Sequence, residues 1–90
     1  MTMIKFRISV TEAYISAGRR KATRHCPIFL ALKEQSGLNI RAVDNLSFYL
    51  ASGLEVWLPA SARQFILDFD GGAPVEPFCF SFAINSDKLS

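Results

Sequence analysis

The chain has 90 residues, of which 50% are hydrophobic and 20% are charged, and its formal net charge is +2. This length suits one domain, and the large apolar share excludes an intrinsically disordered chain. No apolar run approaches the roughly 18–20 residues that span a bilayer, and the N-terminus lacks the apolar core of a signal peptide. We therefore expect a cytosolic protein with no membrane partner.

The N-terminal part of the sequence predicts a strand followed by a short helix. From Ile4 to Val10 every second residue is apolar, which is the period of a strand with one buried face. A helix is expected from Glu12 to Ala17, with Thr11 as its N-cap. Gly18 is the expected C-terminal residue in the left-handed conformation.

A basic loop, a second helix and a short strand come next. Residues 19–25 contain a single apolar residue and predict an exposed loop. Cys26 and Pro27 are typical of an N-cap and a first helical position, and Gly37 is expected to end this helix. Leu38 to Val43 predicts a short strand in which every second residue, starting with Leu38, is apolar.

The register of the following hairpin can be deduced from its loop length. A three-residue loop with Gly53 in the left-handed conformation pairs Leu50 with Leu54 and, further from the loop, Phe48 with Val56. Six apolar side chains of the hairpin then share one face, whereas a two-residue loop would divide them between two faces. They are Leu46, Phe48, Leu50, Leu54, Val56 and Leu58. The opposite face carries Ser47, Tyr49, Glu55 and Trp57.

The C-terminal part predicts a third helix and a last strand. Ser61 to Gln64 matches a capping box, which places the helix start there, and Gly71 with Gly72 is expected to end the helix. Alternating Phe78 to Ile84 is the clearest strand signal in the chain. The tail from Asn85 is expected to fray.

The order of these elements, β-α-α-β-β-β-α-β, predicts a single α+β domain over residues 1–84 with a frayed tail at 85–90. We expect a mostly antiparallel sheet of about four to five strands with two to three helices packed on one face. The first and last strands are expected to pair.

Few residues suggest chemistry. Cys26 lies at a helix N-terminus beside Arg24 and His25, a setting that can lower a thiol pKa, but no orienting group or oxyanion site accompanies it. A Cys26-dependent enzyme is therefore only a third hypothesis, and we predict no catalytic residue. The single histidine and the spacing of Asp68, Asp70 and Glu76 do not fit zinc or an EF-hand, so no metal or other cofactor is expected.

Two groups of residues are candidates for binding a partner. The first is the aromatic pair Trp57 and Tyr49, which the hairpin register turns toward the strand face that bears Lys5 and Arg7. The second is the basic loop, with Arg19, Arg20, Lys21 and Arg24. The aromatic pair could equally cover the sheet or form a homodimer interface, and the loop could be solvated, contact a protein or bind nucleic acid.

Five short motifs are distributed along most of the chain. They are I-x-V-T-E-x-x-I at Ile8–Ile15, His25-Cys26-Pro27-Ile28 with Ala31-Leu32, Leu58-Pro59, Phe65-Ile66-x-Asp68-Phe69-Asp70, and Val75-x-Pro77-Phe78. In this combination the chain resembles small uncharacterised proteins encoded by bacteriophages and prophages. The resemblance implies an accessory or anti-defence protein, such as an anti-CRISPR-like inhibitor, that binds a host protein complex in the host cytosol.

Overall fold

The computed structural model describes residues 2–88, within which it has five strands and three α-helices. They are β1 (Met3–Val10), α1 (Glu12–Ala17), α2 (Pro27–Ser36), β2 (Ile40–Val43), β3 (Ser47–Leu50), β4 (Glu55–Trp57), α3 (Ala60–Asp70) and β5 (Phe78–Asn85). The α+β class and the element order are confirmed.

The strands divide into two antiparallel sheets. The first contains β1 and β5, so the predicted pairing of the first and last strands is confirmed. The second has the order β2-β3-β4. Side chains join the two sheets in the core, where the buried ring of Phe48 on β3 lies edge-on to Phe82 on β5 with centroids 5.0 Å apart. On another side α2 contacts both β1 and β2.

The hairpin has the predicted register. Phe48 pairs with Val56, and the N–H of Leu50 donates to the carbonyl of Leu54 across the loop. Gly53 has φ of 96°, the left-handed conformation that the three-residue loop requires. As a result Phe48 and Leu50 are buried, while Trp57 is exposed on the other face.

Helix α2 also begins and ends as predicted. The Sγ of Cys26 accepts a hydrogen bond from the backbone N–H of Phe29 at 3.3 Å, and Pro27 is the first helical residue. Gly37 has φ of 71° and ends the helix. The buried residues of α2 fix it against the sheets; they are Pro27, Ile28, Phe29, Ala31 and Leu32.

Gly18 does not adopt the expected left-handed conformation. It has φ of −74°, which any residue can adopt. Glycine is needed here because there is no room for a side chain. A Cβ atom at position 18 would lie 2.5 Å from the Cδ of Pro27, well inside van der Waals contact. Gly18 therefore allows the end of α1 to approach the start of α2.

The start of α3 and the pairing of β2 also differ from expectation. Helix α3 has Pro59 as its N-cap, and the Pro59 carbonyl accepts from the N–H groups of Ala62 and Arg63, so Ser61 lies inside the helix and caps nothing. Strand β2 has a bulge between Ile40 and Ala42, which buries Val43 in place of the expected Ala42.

The strand β5 extends one residue further than expected. Asn85 still pairs with Met3, and Ser86–Lys88 form a short 3-10 helix. Residues 89–90 of the expected tail lie outside the described range, and the domain limit at residue 84 stays a prediction. Within residues 2–88, no helix has the length and apolar character needed to cross a membrane.

Candidate partner-binding groove

An open groove of about 460 Å³ separates the two sheets at the strands β4 and β5. One wall is formed by residues 54–59, which include β4, and the other by residues 81–85 of β5. Lys88 lies at its border. The groove exists because the two strands belong to different sheets and do not pair with each other.

Trp57 is the most exposed large hydrophobic residue among those described, with 62% of its surface accessible. It lies on the β4 wall of the groove, near Ser81 and Ala83 on the opposite wall. Arg7 and Lys5 are the cross-strand neighbours of Ser81 and Ala83. The structure thus places Trp57 on one side of the groove and the two cations one strand beyond the other side.

Tyr49 is not available in the way that Trp57 is. Its hydroxyl lies 3.1 Å from Oδ2 of Asp44 and 3.0 Å from Oε2 of Glu55, and the Ser47 hydroxyl donates to the same Glu55 oxygen at 2.6 Å. The Ser47 hydroxyl lowers the pKa of Tyr49, but the two carboxylates raise it above its ordinary value overall. Tyr49 therefore holds together the polar face of the hairpin.

Asp44 anchors the turn that precedes β3. Its Oδ1 accepts from the backbone N–H groups of Leu46 and Ser47, both at 2.8 Å. Burial raises the pKa of the Asp44 carboxyl, but these hydrogen bonds and that of Tyr49 outweigh burial, so the pKa lies below its ordinary value. Asp44 thus holds Tyr49 in place, and Tyr49 with Ser47 binds the Glu55 carboxylate on the β3 side.

The outer face of the β1–β5 sheet combines cations with small residues. Lys5 and Arg7 are exposed on β1, and Ser81 and Ala83 are exposed on β5. Cys79 is also exposed, and its Sγ lies 3.4 Å from the hydroxyl of Ser9.

This hydrogen bond changes the thiol chemistry. The bond with Ser9, aided by Arg7, holds the pKa of the Cys79 thiol below its ordinary value. Sequence reasoning considered only Cys26, whereas exposure and the lowered pKa favour the thiolate of Cys79.

The basic loop does not act as one cluster. The backbone N–H of Lys21 donates to Asp70 at 2.8 Å, and the guanidinium of Arg20 lies over Gly72, so both residues are directed to the end of α3. Arg24 instead lies in a separate cleft of about 410 Å³ with Lys33 and Arg41. Arg19 is exposed on the loop, with its backbone bonded to His25.

The cleft around Arg24 was not foreseen from the sequence. Lys33 and Arg41 each stand alone in the sequence, on a helix and on a strand, and only the fold brings them together. No acidic side chain is among the described residues that line this cleft, and Lys33 lies 5.9 Å from the centre of the Phe29 ring. It is therefore a small cationic site with an aromatic wall.

Cys26 has the opposite environment from that of an activated thiol. It is 5% exposed, and burial raises its pKa above the ordinary value, although the N–H of Phe29 acts in the other direction. Thiolate chemistry requires a lowered pKa and access, so the geometry gives the Cys26 enzyme hypothesis no support.

Metal-binding groups are dispersed. In the part of the chain that the structure describes, no three His, Cys, Asp or Glu side chains are grouped so as to hold a metal ion.

Comparison with protein-family models, with curated proteins and with solved structures finds no significant match to this chain.

Proposed function

We propose that this chain is a small interaction protein that binds another protein through the β4–β5 groove and its border, and thereby modulates or inhibits it by covering its surface. On the resemblance to small bacteriophage and prophage proteins, the partner is a protein complex of a bacterial host, such as a defence system, met in the host cytosol. No chemical step by this chain is part of the proposal.

The observation that carries the proposal is the exposure of Trp57 beside an open groove. Apolar surface is stabilised when it is removed from water, and no described part of the chain covers the Trp57 side chain. A partner that covered it would therefore gain binding free energy. Tryptophan and arginine are the residues that most often dominate the binding energy of protein interfaces, and Arg7 lies on the same side. Binding would place a partner on both.

The test is a tagged capture from lysate of a bacterial host, treated with nuclease. We expect one stoichiometric protein complex to be retained, and Trp57→Ala to release it. Leu67→Ala is the matched control, because Leu67 is 53% exposed on α3 and does not line the groove. Equal retention by both variants and the unmodified protein would contradict the proposed surface.

Nucleic-acid binding is a second candidate, favoured by the cleft that holds Arg24, Lys33 and Arg41. Three cations without an acidic neighbour among the described lining residues attract a phosphate. This candidate uses a different side of the molecule from the groove.

A salt titration of oligonucleotide affinity tests this second candidate. Each phosphate contact contributes about 0.7–0.9 to the slope of log affinity against log salt, so Arg41→Ala should reduce the slope by roughly one contact. Trp57→Ala serves as the control and should leave the slope unchanged. Affinity that does not vary with salt would exclude nucleic acid as the ligand.

A further inference from the structure

The free edge of β5 faces the groove. The N–H of Ser86 donates to the carbonyl of Thr2 at 2.8 Å, so by the alternation of an antiparallel ladder the even-numbered residues of β5 bond to β1. The N–H and C=O groups of the odd-numbered residues therefore point away from β1, and those of Ser81 and Ala83 face the groove. They form a row of backbone donors and acceptors without a strand to pair with.

The same alternation applies to β4. The N–H of Leu58 donates to the carbonyl of Leu46 at 3.0 Å, so Leu58 and Val56 bond to β3. The backbone groups of Glu55 and Trp57 point to the other side, which is the groove. An extended segment in the groove would thus have a strand edge on each side.

The edge of β5 has none of the usual protection against pairing. Proteins shield exposed edges with charged residues, proline, bulges or short strands, but β5 has eight residues, no bulge and no charged residue. The other edge of the same sheet is covered. There, Oε1 of Gln35 accepts from the N–H of Ser9 at 2.8 Å and Nε2 of Gln35 donates to the Ser9 carbonyl at 2.7 Å.

The side chains around the groove define the occupant. Its inward side chains would meet Phe82 and Ile84 of β5 and the half-buried Leu54 and Val56 of the hairpin, which are all apolar. Its outward side chains would lie beside Ser81 and Ala83, whose small size lets longer side chains on β1 reach across them.

On the β5 side of the groove the outward charges are positive. Lys5 and Arg7 lie directly across β5, and Lys88 lies at the border of the groove. Among the described residues that line the groove, Glu55 is the only acid, and its carboxylate is hydrogen-bonded to Ser47 and Tyr49 on β3. Acidic side chains on the occupant would therefore be complementary to this side.

The geometry points to strand addition: the groove takes one extended segment of a partner protein, apolar at alternate positions and acidic between them, as an additional strand between β5 and β4. Backbone hydrogen bonds would supply affinity and the alternate side chains would supply specificity. This inference rests on the proposed function and specifies the chemistry of the partner.

The probe is an acetylated eight-residue peptide in which valine and glutamate alternate, with a valine and lysine peptide as its charge control. We expect the acidic peptide to bind the full chain. Ala83→Pro should weaken binding ~10-fold or more, because proline removes a groove-facing N–H and its ring occupies the site of pairing. Ala83→Val is the matched control, since it keeps the N–H.

A second measurement does not depend on the fold of the proline variant. In the unmodified protein, amide exchange at Ser81 and Ala83 should slow on addition of the acidic peptide, because both N–H groups become hydrogen-bonded. Exchange at Phe82, whose N–H already bonds to β1, should change much less. The chain without peptide is examined in parallel by sedimentation.

Each contrary result overturns a defined part of the inference. No binding of the acidic peptide, or equal binding of the lysine peptide, contradicts the proposed chemistry. Unchanged exchange at Ser81 and Ala83 with bound peptide contradicts strand pairing. A dimer that Ala83→Pro dissociates would show a second copy as the occupant. If Trp57→Ala still releases the captured host complex in these cases, the proposed function stands and only the mode of binding is wrong.

Discussion

The side-chain amide of Gln35 bonds to the edge of β1 as the backbone of a neighbouring strand would. Replacing Gln35 should therefore lower the free energy of unfolding, and for one variant the loss should depend on pH. Its amide donates to and accepts from Ser9, and it also donates to the Tyr14 hydroxyl at 3.2 Å. At about 0.5–1.5 kcal/mol for each hydrogen bond, and with solvent access favouring the low end, Gln35→Ala should reduce the free energy of unfolding by about 1–2 kcal/mol.

Gln35→Glu separates the donor from the acceptor. Near pH 7 the introduced carboxylate can still accept from the Ser9 N–H, but its second oxygen opposes the Ser9 carbonyl, so the loss should at least equal that of Gln35→Ala. The unfavourable contact raises the pKa of the introduced carboxyl in the folded state above its unfolded value of about 4.3. The stabilising contribution of the protonated acid is therefore fully present below pH ~4.3 and is lost as pH rises through the folded pKa.

The assay is urea unfolding of the two variants and the unmodified chain at several pH values between about 3.5 and 7.5, with differences taken at each pH. We expect the difference between Gln35→Glu and the unmodified chain to shrink toward low pH, while that of Gln35→Ala stays constant. A pH-independent difference for Gln35→Glu, or no loss for Gln35→Ala, would refute the role assigned to this side chain.

Two further predictions concern groups with shifted pKa values. Because the folded-state pKa of Asp44 is lowered, its contribution to the free energy of unfolding is present above its unfolded pKa and is lost as pH falls through the folded pKa. The stability advantage of the unmodified chain over Asp44→Asn should therefore shrink on acidification. The change should be less than about 1 kcal/mol, since the carboxyl is partly exposed to solvent. Equal pH profiles in urea unfolding would contradict this. A thiol reagent at pH 7 should label exposed Cys79 rapidly and buried Cys26 only on unfolding, and Ser9→Ala should slow the labelling of Cys79. Similar rates for both thiols, or no effect of the substitution, would show that the assigned environments are wrong.

Local rules were sufficient for the parts of the fold that depend on neighbouring residues. The hairpin register follows from side-chain alternation and from the need of Gly53 for a left-handed conformation, both of which are visible in the sequence. The start of α2 is similar, since the Cys26 thiol and the Pro27 ring satisfy the first turn from within that turn.

The features that sequence reasoning missed depend on contacts between distant segments. Position 18 requires glycine because the ring of Pro27 leaves no space for a Cβ atom, and this contact cannot be deduced from the residues next to Gly18 in the sequence. The bulge in β2, which is set by the pairing with β3, buries Val43 where strict alternation would bury Ala42.

The candidate groove has the same origin. The hairpin pattern alone identifies Trp57, but the groove wall opposite Trp57, on β5, follows only from the division of the strands into two sheets. The cationic cleft likewise requires the fold, because Arg24, Lys33 and Arg41 lie on a loop, a helix and a strand.

The pairing of β1 with β5 also constrains the order in which the chain can fold. β1 is made before every other described element, yet its partner β5 is the last strand of the described residues. During synthesis the apolar side chains of β1 must wait until all the elements between β1 and β5 have been made, and closing so large a loop slows folding relative to a fold of local contacts. Since Thr2 and Ser86 are hydrogen-bonded to each other, a short linker that joins the chain near these two residues would make this pairing local, and a chain so permuted should fold faster into the same structure.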